Sequence, residues 1–477
     1  MKLGRSRYVN MLFNSIHFFF FFIIVTLGYW SLGWTGRWRL LLFASCYFYM
    51  IFKPIYILIL FFTIFIDYYA GIWLEKTEGK QRKWLLIISI ISNIGILAFF
   101  KYYQFAFENL NYFLGVFQVK NPLPIFDFIL PIGLSFHTFQ AMSYTIEVYK
   151  GNYKAEKHFG IYALYVMFYP QLVAGPIERP QNVLPQFHIT HKFDFEKVKS
   201  GLIMMAWGLF KKVVIADRLA MVVDYAYENP SEKTGLTLLI ATFFYTFQIY
   251  CDFSGYSDIA LGSAKVMGYD LMENFRTPYF STSISEFWRR WHISLSTWFR
   301  DYLYIPLGGN RVSEWRRYFN QFFVFMVSGL WHGAAWTFVI WGSLHGFYLI
   351  CAILRDKYFP RLSFPKNIFG KSINLISTFI LVMLAWVFFR AKGMNDALII
   401  LKKIGTFTFY QNFKSPLNSV EMWFSLILIG FLLWKEYRFF HINTQNTVGF
   451  YGLTVLFALT IYFFGVFNTN QFIYFQF

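Results

Sequence analysis

The sequence predicts an all-α protein that crosses a membrane many times. Of its 477 residues, 57% are hydrophobic and 23% aromatic, and only 14% are charged. A soluble protein of this length could not cover so much apolar surface in one core. Apolar runs of about 20 residues, the length that spans the hydrocarbon layer as a helix, recur along the chain. We therefore expect about 11 transmembrane helices, together with re-entrant or horizontal helices.

The candidate spans are distributed over the whole chain. They cover residues 11–30, 40–66, 84–103, 126–148, 162–174, 201–223, 236–250, 318–330, 335–354, 373–389, 422–434 and 450–467. Asp67 follows the second of these spans, and we expect its carboxyl to reach the membrane interface by snorkelling. No internal repeat and no second domain are visible, which predicts one membrane-embedded domain over residues 1–477.

Charge and cysteine content exclude several classes of protein. The net charge of +18 is explained by lysine and arginine in cytoplasmic loops. No exposed domain is long enough to present a basic surface to nucleic acid, so no nucleic-acid partner is expected. The three cysteines are too few, and too apolar in setting, for a disulfide framework or a zinc site. No metal is expected.

Two polar segments interrupt the apolar pattern. Residues 169–180 contain three prolines and a glycine, which predict an irregular backbone buried in protein or facing a watery cavity. Residues 250–268 place Asp252 and Asp258 beside an apolar run. Because six positions separate the two carboxylates, they lie well apart around a continuous helix. Two structural hydrogen-bond acceptors are therefore a better interpretation than a paired acid and base or a metal site.

The third unusual segment, residues 285–311, combines arginines with tryptophans. The arginine excess predicts a position on the cytoplasmic face. Trp288, Trp291 and Trp298 are typical of an interfacial helix that lies in or dips into the membrane. A plain amphipathic anchor is the alternative, but such an anchor gains nothing from the titratable ring of His292.

His332 is the strongest single candidate for chemistry. It lies in the apolar segment G-L-W-H-G-A-A-W, where an ionisable group is costly unless it has a function. Gly329 and Gly333 remove bulk on both sides, so that a substrate or another backbone can approach the imidazole. A neutral imidazole is the usual general base near neutral pH. For His345, a hydrogen bond between helices is an interpretation at least as good as a functional one.

Familiar catalytic motifs are missing from the sequence. It contains no G-x-S-x-G, H-E-x-x-H, dinucleotide-binding glycine fingerprint or C-x-x-C. The features that remain for chemistry are a basic, aromatic cytoplasmic segment and a buried base. That combination favours the transfer of a small group from a soluble anionic donor to a hydroxyl. A transporter with broken helices and a midplane histidine is an alternative, as is a non-catalytic assembly factor for a secreted polysaccharide transferase.

Several longer motifs occur in a recognisable order. They are M-L-F-N-S (11–15), P-Q-L-V-A-G-P-I-E-R-P (170–180), C-D-F-S-G-Y-S-D-I-A-L-G (251–262), N-F-R-T-P-Y (274–279), F-W-R-R-W-H-I-S-L-S-T-W-F-R-D-Y-L-Y-I-P-L-G-G (287–309), G-L-W-H-G-A-A-W (329–336) and F-F-R-A (388–391). On these motifs the chain resembles the membrane-bound O-acyltransferase (MBOAT) family. It is most similar to the bacterial AlgI/DltB-like branch, and within that branch to its alginate-acetylating side.

The resemblance implies a fold and a reaction. The family fold is a ring of membrane helices around a thin core, with a tunnel that joins a cytoplasmic donor site to an outer acceptor site. Residues 11–280 would form the N-terminal helices, 281–355 the catalytic core and 356–477 the C-terminal helices. The implied reaction moves an acyl group, acetyl in the first place, from a cytoplasmic thioester to an extracytoplasmic polysaccharide. A lipid-modifying acyltransferase is the close enzymatic alternative.

The resemblance also assigns residues and partners. His332 resembles the catalytic histidine of the family, and His292 resembles its second histidine. The donor- or tunnel-lining candidates are Trp288, Arg289, Trp291, Ser294, Asp301, Tyr302, Trp331, Gly333 and His345. The structural motif residues are Pro170, Gln171, Gly175, Pro176, Asp252, Ser254 and Asp258.

No permanently bound cofactor is implied. The donor would be acyl-CoA, acetyl-CoA foremost, or an acyl-carrier-protein thioester. The chain would lie in the bacterial inner membrane, in contact with lipid. An SGNH-type or similar acyltransferase outside the cytoplasm would be its partner.

Overall fold

A computed structural model of the chain describes residues 11–119, 130–172, 175–359, 367–408 and 412–467. Within these ranges all regular structure is helical, as the sequence predicts, and no strand is found. The chain forms two compact units. The first comprises the described residues of Met1–Met205 and Asp258–Met272, and the second those of Ala206–Ser257 and Glu273–Phe477. The three-part division of the chain that the family resemblance implies stays a prediction.

The α-helices of the described residues are numbered here in chain order. The first nine are α1 (Ile16–Ser31), α2 (Trp34–Met50), α3 (Tyr56–Lys76), α4 (Gly79–Leu97), α5 (Tyr103–Val116), α6 (Leu134–Lys150), α7 (Phe159–Met167), α8 (Tyr169–Leu172) and α9 (Pro180–Phe187). Next come α10 (Phe195–Phe210), α11 (Asp217–Glu228), α12 (Gly235–Val266), α13 (Ile284–Arg290), α14 (Ile293–Phe299) and α15 (Glu314–His332). The last are α16 (Trp336–Tyr358), α17 (Ile368–Arg390), α18 (Met394–Gly405), α19 (Ser419–Arg438) and α20 (Thr447–Phe464).

Three π-helical turns accompany these helices. Ala98–Tyr102 joins α4 to α5, Lys211–Ala216 joins α10 to α11, and Arg300–Tyr304 follows α14. Because such turns are rare and concentrate at functional sites, the two in the second unit mark segments of interest.

Six helices in the described ranges are long and apolar enough to cross a membrane. They are Tyr56–Lys76, Gly79–Val116, Gly235–Val266, Trp336–Tyr358, Ile368–Arg390 and Thr447–Phe464. The predicted spans 84–103 and 373–389 lie inside two of them. The chain is thus a multi-pass membrane protein, while the predicted total of about 11 crossings is not confirmed.

Some predicted span boundaries are wrong. Residues 40–66 do not form one helix, because α2 ends at Met50 and α3 begins only at Tyr56. Pro54 lies in the gap, where it lacks an N–H and disfavours a helical conformation at the preceding residue. The segment 162–174 contains only the short helices α7 and α8, and residues 173–174 lie outside the described ranges. The same holds for residues 126–129 of the span predicted at 126–148.

The predicted snorkelling of Asp67 is also wrong. Its side chain is fully buried and accepts hydrogen bonds from Ser89 Oγ at 2.6 Å and Asn93 Nδ2 at 2.8 Å. Asp67 lies in the middle of the 21-residue helix α3, so its short side chain cannot reach either end. The two polar residues of α4 supply the hydrogen bonds that water would otherwise provide.

Helix α12 continues well beyond the end of the predicted span 236–250. It runs for 32 residues through the polar segment that begins at Tyr250. In the first unit, a Cβ atom on Gly262 would lie 2.5 Å from the carbonyl oxygen of Gly201, and one on Gly201 would lie 2.7 Å from that of Gly262. These glycines therefore permit close packing of α10 against α12 and do not form a turn.

Replacing Gly262 with alanine should destabilise the protein. The added methyl would push against the backbone of α10, and overpacking of this kind costs about 1–3 kcal/mol. We expect a lower melting temperature of the detergent-purified protein in a fluorescence-detected size-exclusion assay. The matched control is Gly430→Ala in α19, where a Cβ meets no atom within 4 Å. That variant should keep or slightly raise the melting temperature, because alanine favours the helix. Equal melting temperatures for both variants would contradict the close packing.

Candidate active site

The site in the second unit is built on the packing of α15 against α16. A Cβ atom on Gly342 would lie 3.0 Å from Gly329 Cα and would overlap the carbonyl oxygen of Phe325. The two backbones therefore touch at Gly329 and Gly342. Gly333, at the end of α15, faces the ring of Phe338. Of the two possibilities that the sequence left open for these glycines, the structure shows approach by protein atoms, namely a second backbone and an aromatic ring.

His332 is the last residue of α15 and is 4% exposed. Its ring centroid lies 4.9 Å from that of Trp331, 5.1 Å from Trp341 and 5.4 Å from Phe389. The ring of His292 is 6.4 Å away. The structure thus brings the two histidines singled out in the sequence into one aromatic environment.

His292 lies in the turn between α13 and α14. Its φ of +44° falls in the left-handed region, which costs a non-glycine residue about 1–3 kcal/mol and persists only where the surroundings enforce it. Asn274 supplies that enforcement. Its carbonyl oxygen accepts the backbone N–H of Ile293 at 2.9 Å, and its side-chain Oδ1 accepts the backbone N–H of Ser294 at 3.2 Å and the Ser294 hydroxyl at 2.9 Å.

The same amide oxygen determines the tautomer of His292. Asn274 Oδ1 lies 3.1 Å from His292 Nδ1. Because this oxygen accepts, Nδ1 must carry the proton, and Nε2 is then the basic nitrogen of the neutral ring. Complete burial lowers the pKa of His292 to about 3, which keeps the ring neutral. Asn274 was not among the predicted site residues. Its position in the N-F-R-T-P-Y motif was the signal that could have revealed it.

A cavity of about 510 Å³ opens beside these residues. Of the predicted lining residues it contains Trp288 and Arg289. Ser328 also lines it, one helical turn before His332 on α15. Arg289 and Arg300 are both exposed and both contribute to the lining, so the cavity has a positively charged rim. Its other lining side chains are mainly apolar.

The remaining predicted lining residues lie outside the wall of this cavity. Ser294 hydrogen-bonds to Asn274, and Asp301 pairs with Arg300 at 2.8 Å. Tyr302 packs against Trp298, with ring centroids 5.2 Å apart. Trp291, Trp331, Gly333 and His345 are buried and do not line the cavity.

The three tryptophans predicted to lie at the membrane interface are buried inside the protein. Trp288, Trp291 and Trp298 are 7%, 1% and 5% exposed. They pack inside the protein, so the interpretations as an interfacial helix and as a plain amphipathic anchor are both wrong for these side chains. The apolar area of three tryptophans stabilises more when it is buried against protein than at a wet interface.

His345 on α16 makes the helix–helix hydrogen bond that the sequence offered as an alternative. It is fully buried, and its Nδ1 accepts the indole N–H of Trp288 on α13 at 3.2 Å. The rings of Trp288 and Trp341 both lie near it, at 5.0 and 5.2 Å.

The motif residues divide between the two units. In the second, Asp252 lies 2.6 Å from Lys212 Nζ, and Ser254 accepts from Lys211 Nζ at 2.8 Å. In the first, Gln171 donates to the carbonyl oxygen of Tyr165 at 2.6 Å. Pro170, Gly175 and Pro176 are also buried there, and Asp258 is half-buried.

Comparison with known proteins gives concordant results. Residues 155–394 match the family model of MBOAT, the membrane-bound O-acyltransferase family. The chain is 40% identical over 419 residues to the probable alginate O-acetylase AlgI of Pseudomonas aeruginosa, covering 86% of this chain and 78% of that protein. It is 36% identical over 429 residues to the peptidoglycan O-acetyltransferase of Helicobacter pylori, covering 83% and 80%. The teichoic acid D-alanyltransferase of Bacillus subtilis is more distant, at 26% over 284 residues, covering 57% and 71%.

Lys212→Met should unfold the second unit or lower its melting temperature strongly. Lys212 is 1% exposed and lies between two buried carboxylates, Asp252 at 2.6 Å and Asp217 at 2.8 Å. Removing one partner of a buried pair costs about 3–5 kcal/mol, because the remaining charge stays buried. We expect loss of the monodisperse peak in size-exclusion chromatography, whereas Lys371→Met, at an exposed lysine, should leave it intact. Adding Asp217→Asn and Asp252→Asn to Lys212→Met should recover part of the loss. A stable single variant would refute the ion-pair argument.

Proposed function

The chain belongs to the membrane-bound O-acyltransferase family and is a multi-pass membrane O-acyltransferase, and on this premise we propose that it transfers an acetyl group from a cytoplasmic thioester to hydroxyl groups of a polysaccharide outside the cytoplasm. The observation that carries the proposal is the placement of His332. Its buried ring lies 6.4 Å from His292 and one helical turn from a cavity with an arginine rim. The names of the relatives, alginate O-acetylase and peptidoglycan O-acetyltransferase, support acetyl as the group and a polysaccharide as the acceptor.

The chemistry follows from a neutral imidazole in a dry site. His332 accepts the proton of the acceptor hydroxyl while the hydroxyl oxygen attacks the thioester carbonyl carbon. The C–S bond then breaks, and the thiolate takes up the proton from the imidazolium. The products are the O-acyl ester and the free thiol. General-base help of this kind contributes about 10²–10⁴ in rate.

The charge of the cavity rim supports an anionic donor. Arg289 and Arg300 suit the phosphates of coenzyme A or of the phosphopantetheine arm of a carrier protein. The apolar lining suits the alkyl part of such an arm. In this arrangement the donor enters the cavity from the cytoplasm, and the acceptor reaches His332 through a tunnel from the other side of the inner membrane.

An SGNH-type or similar acyltransferase outside the cytoplasm is proposed as the partner that completes the transfer. The three-segment organisation, with 281–355 as the catalytic core, fits this scheme, because that segment supplies His292, His332 and most of the cavity wall.

His332→Ala should abolish acyl transfer. Cells that carry the wild type, a deletion, His332→Ala or His441→Ala are fed radiolabelled acetate, and ester-linked label in the extracellular polymer is measured at equal protein levels. His441 is exposed, so its variant should retain wild-type label. His332→Ala should lose at least about 10²-fold in labelling rate. Retained label would mean that His332 is structural. Label in the lipid fraction in place of the polymer would support the lipid-modifying alternative.

Arg289→Ala should weaken donor binding more than it slows chemistry. Loss of one phosphate contact should raise the KM for acetyl-CoA about tenfold and leave kcat within about threefold. The difference from wild type should shrink in high salt, because salt screens exposed charges. Arg355→Ala, at an arginine that pairs with Asp356, is the control and should leave KM unchanged. An unchanged KM in Arg289→Ala would show that the arginine rim is not part of the donor site.

A further inference from the structure

Two tryptophan rings connect the cavity lining to His332. Trp288 lines the cavity, and its ring lies 5.7 Å from that of Trp341. Trp341 is 1% exposed, and its ring also lies 5.1 Å from that of His332. We use the term end wall for the pair Trp288 and Trp341. An acyl group that extends from the cavity along these rings meets the end wall before it meets the imidazole.

The space behind the end wall is filled. The ring of Trp341 stacks on Trp386 at 5.5 Å and packs edge-on against Phe389 at 5.0 Å. Ser328, the lining residue one turn before His332, is about 6 Å from it along the helix axis. The carbonyl carbon of a bound thioester must lie between Ser328 and His332 to be within reach of the imidazole. Its acyl chain then points into the packed rings. Each extra methylene there needs room that the wall does not provide.

His345 holds the end wall in place. The indole of Trp288 has one polar hydrogen and can only donate, so His345 Nδ1 must be the acceptor of their 3.2 Å hydrogen bond. The proton of the neutral ring then lies on Nε2, which is buried and has no hydrogen-bond partner among the described residues. Such an unsatisfied buried donor is costly and uncommon. A histidine at this position is explained if its Nδ1 has the role of fixing the orientation of the Trp288 ring.

We propose that Trp288 and Trp341 form an acyl-length filter that restricts the donor to a two-carbon acyl group, and that His345 is the positioning residue of this filter. The inference rests on the proposed function and names the substrate class of the same site. His345 does not contact the reacting atoms. It acts through Trp288, whose ring would otherwise be free to turn about χ1 and χ2 and enlarge the end of the cavity.

The test compares acyl lengths. Membrane vesicles from producing cells, which carry the native polymer, are supplied with cytosolic extract and with labelled acetyl-CoA or butyryl-CoA, and the butyryl-to-acetyl ratio of kcat/KM is measured. His345→Leu removes the acceptor, and Trp288→Phe removes the donor. Each should raise the ratio at least about tenfold, since one or two methylenes in an apolar pocket discriminate by about that factor. The double variant should gain little more than either single variant.

Two control variants distinguish the positioning of Trp288 by His345 from a general loosening of the cavity. His345→Asn places an amide oxygen near the position of Nδ1 and should keep the ratio within about threefold of wild type, because the indole retains its acceptor. Leu349→Ala enlarges the cavity lining about 12 Å along α16 from Trp341 and should leave the ratio unchanged. An unchanged ratio in both His345→Leu and Trp288→Phe, or an equal rise in Leu349→Ala, would overturn the filter while leaving the acetyl transfer of the wild type intact. A wild type that transfers no acetyl would overturn the proposed function and this inference with it.

Discussion

The backbone contact between α15 and α16 is the constraint on which the geometry of the site depends. Side chains larger than hydrogen at Gly329 and Gly342 would hold the two helices apart. Because the helices touch, His332 at the end of α15 and Trp341 near the start of α16 lie with their rings 5.1 Å apart. His345 is one turn further along α16, which places it against Trp288 of α13. A small shift at the glycine contact would therefore change the distances among His332, the tryptophans and the cavity together.

The second histidine is held by different means. His292 has no long helix behind it and occupies a backbone conformation that most residues avoid. The segment containing Asn274 compensates with three hydrogen bonds, one from the backbone and two through the side-chain oxygen, and with the contact that assigns the imidazole proton to Nδ1. The strained backbone at His292 and the hydrogen bonds of Asn274 depend on each other. Without the turn, the side-chain oxygen of Asn274 would lose its hydrogen-bond donors while buried, which is costly.

The sequence predicted the all-helical fold class and singled out His292 and His332, because composition and local pattern suffice for both. Long apolar runs form helices in lipid whatever surrounds them, and a histidine in such a run is conspicuous. What the sequence did not reveal concerns residues whose role depends on a distant neighbour. Asp67 has a partner 26 positions away in Asn93, and Gly262 packs against Gly201. Neither contact has a periodic signal. Asn274 was not predicted as a site residue for the same reason, because its hydrogen-bond partners are 18 and 20 positions further along the chain.

The aromatic surroundings of His332 bear on the competition between acyl transfer and hydrolysis. A thioester that reaches an activated base can lose its acyl group to water as well as to a sugar hydroxyl, and water is far more abundant. Trp331, Trp341 and Phe389 surround the ring of His332, which is only 4% exposed. A site so enclosed excludes bulk water and strengthens the electrostatic interactions inside it. Under the proposed function, the hydroxyl is then the nucleophile at His332 because it is bound there, and the tryptophans that limit the acyl group also protect it from water.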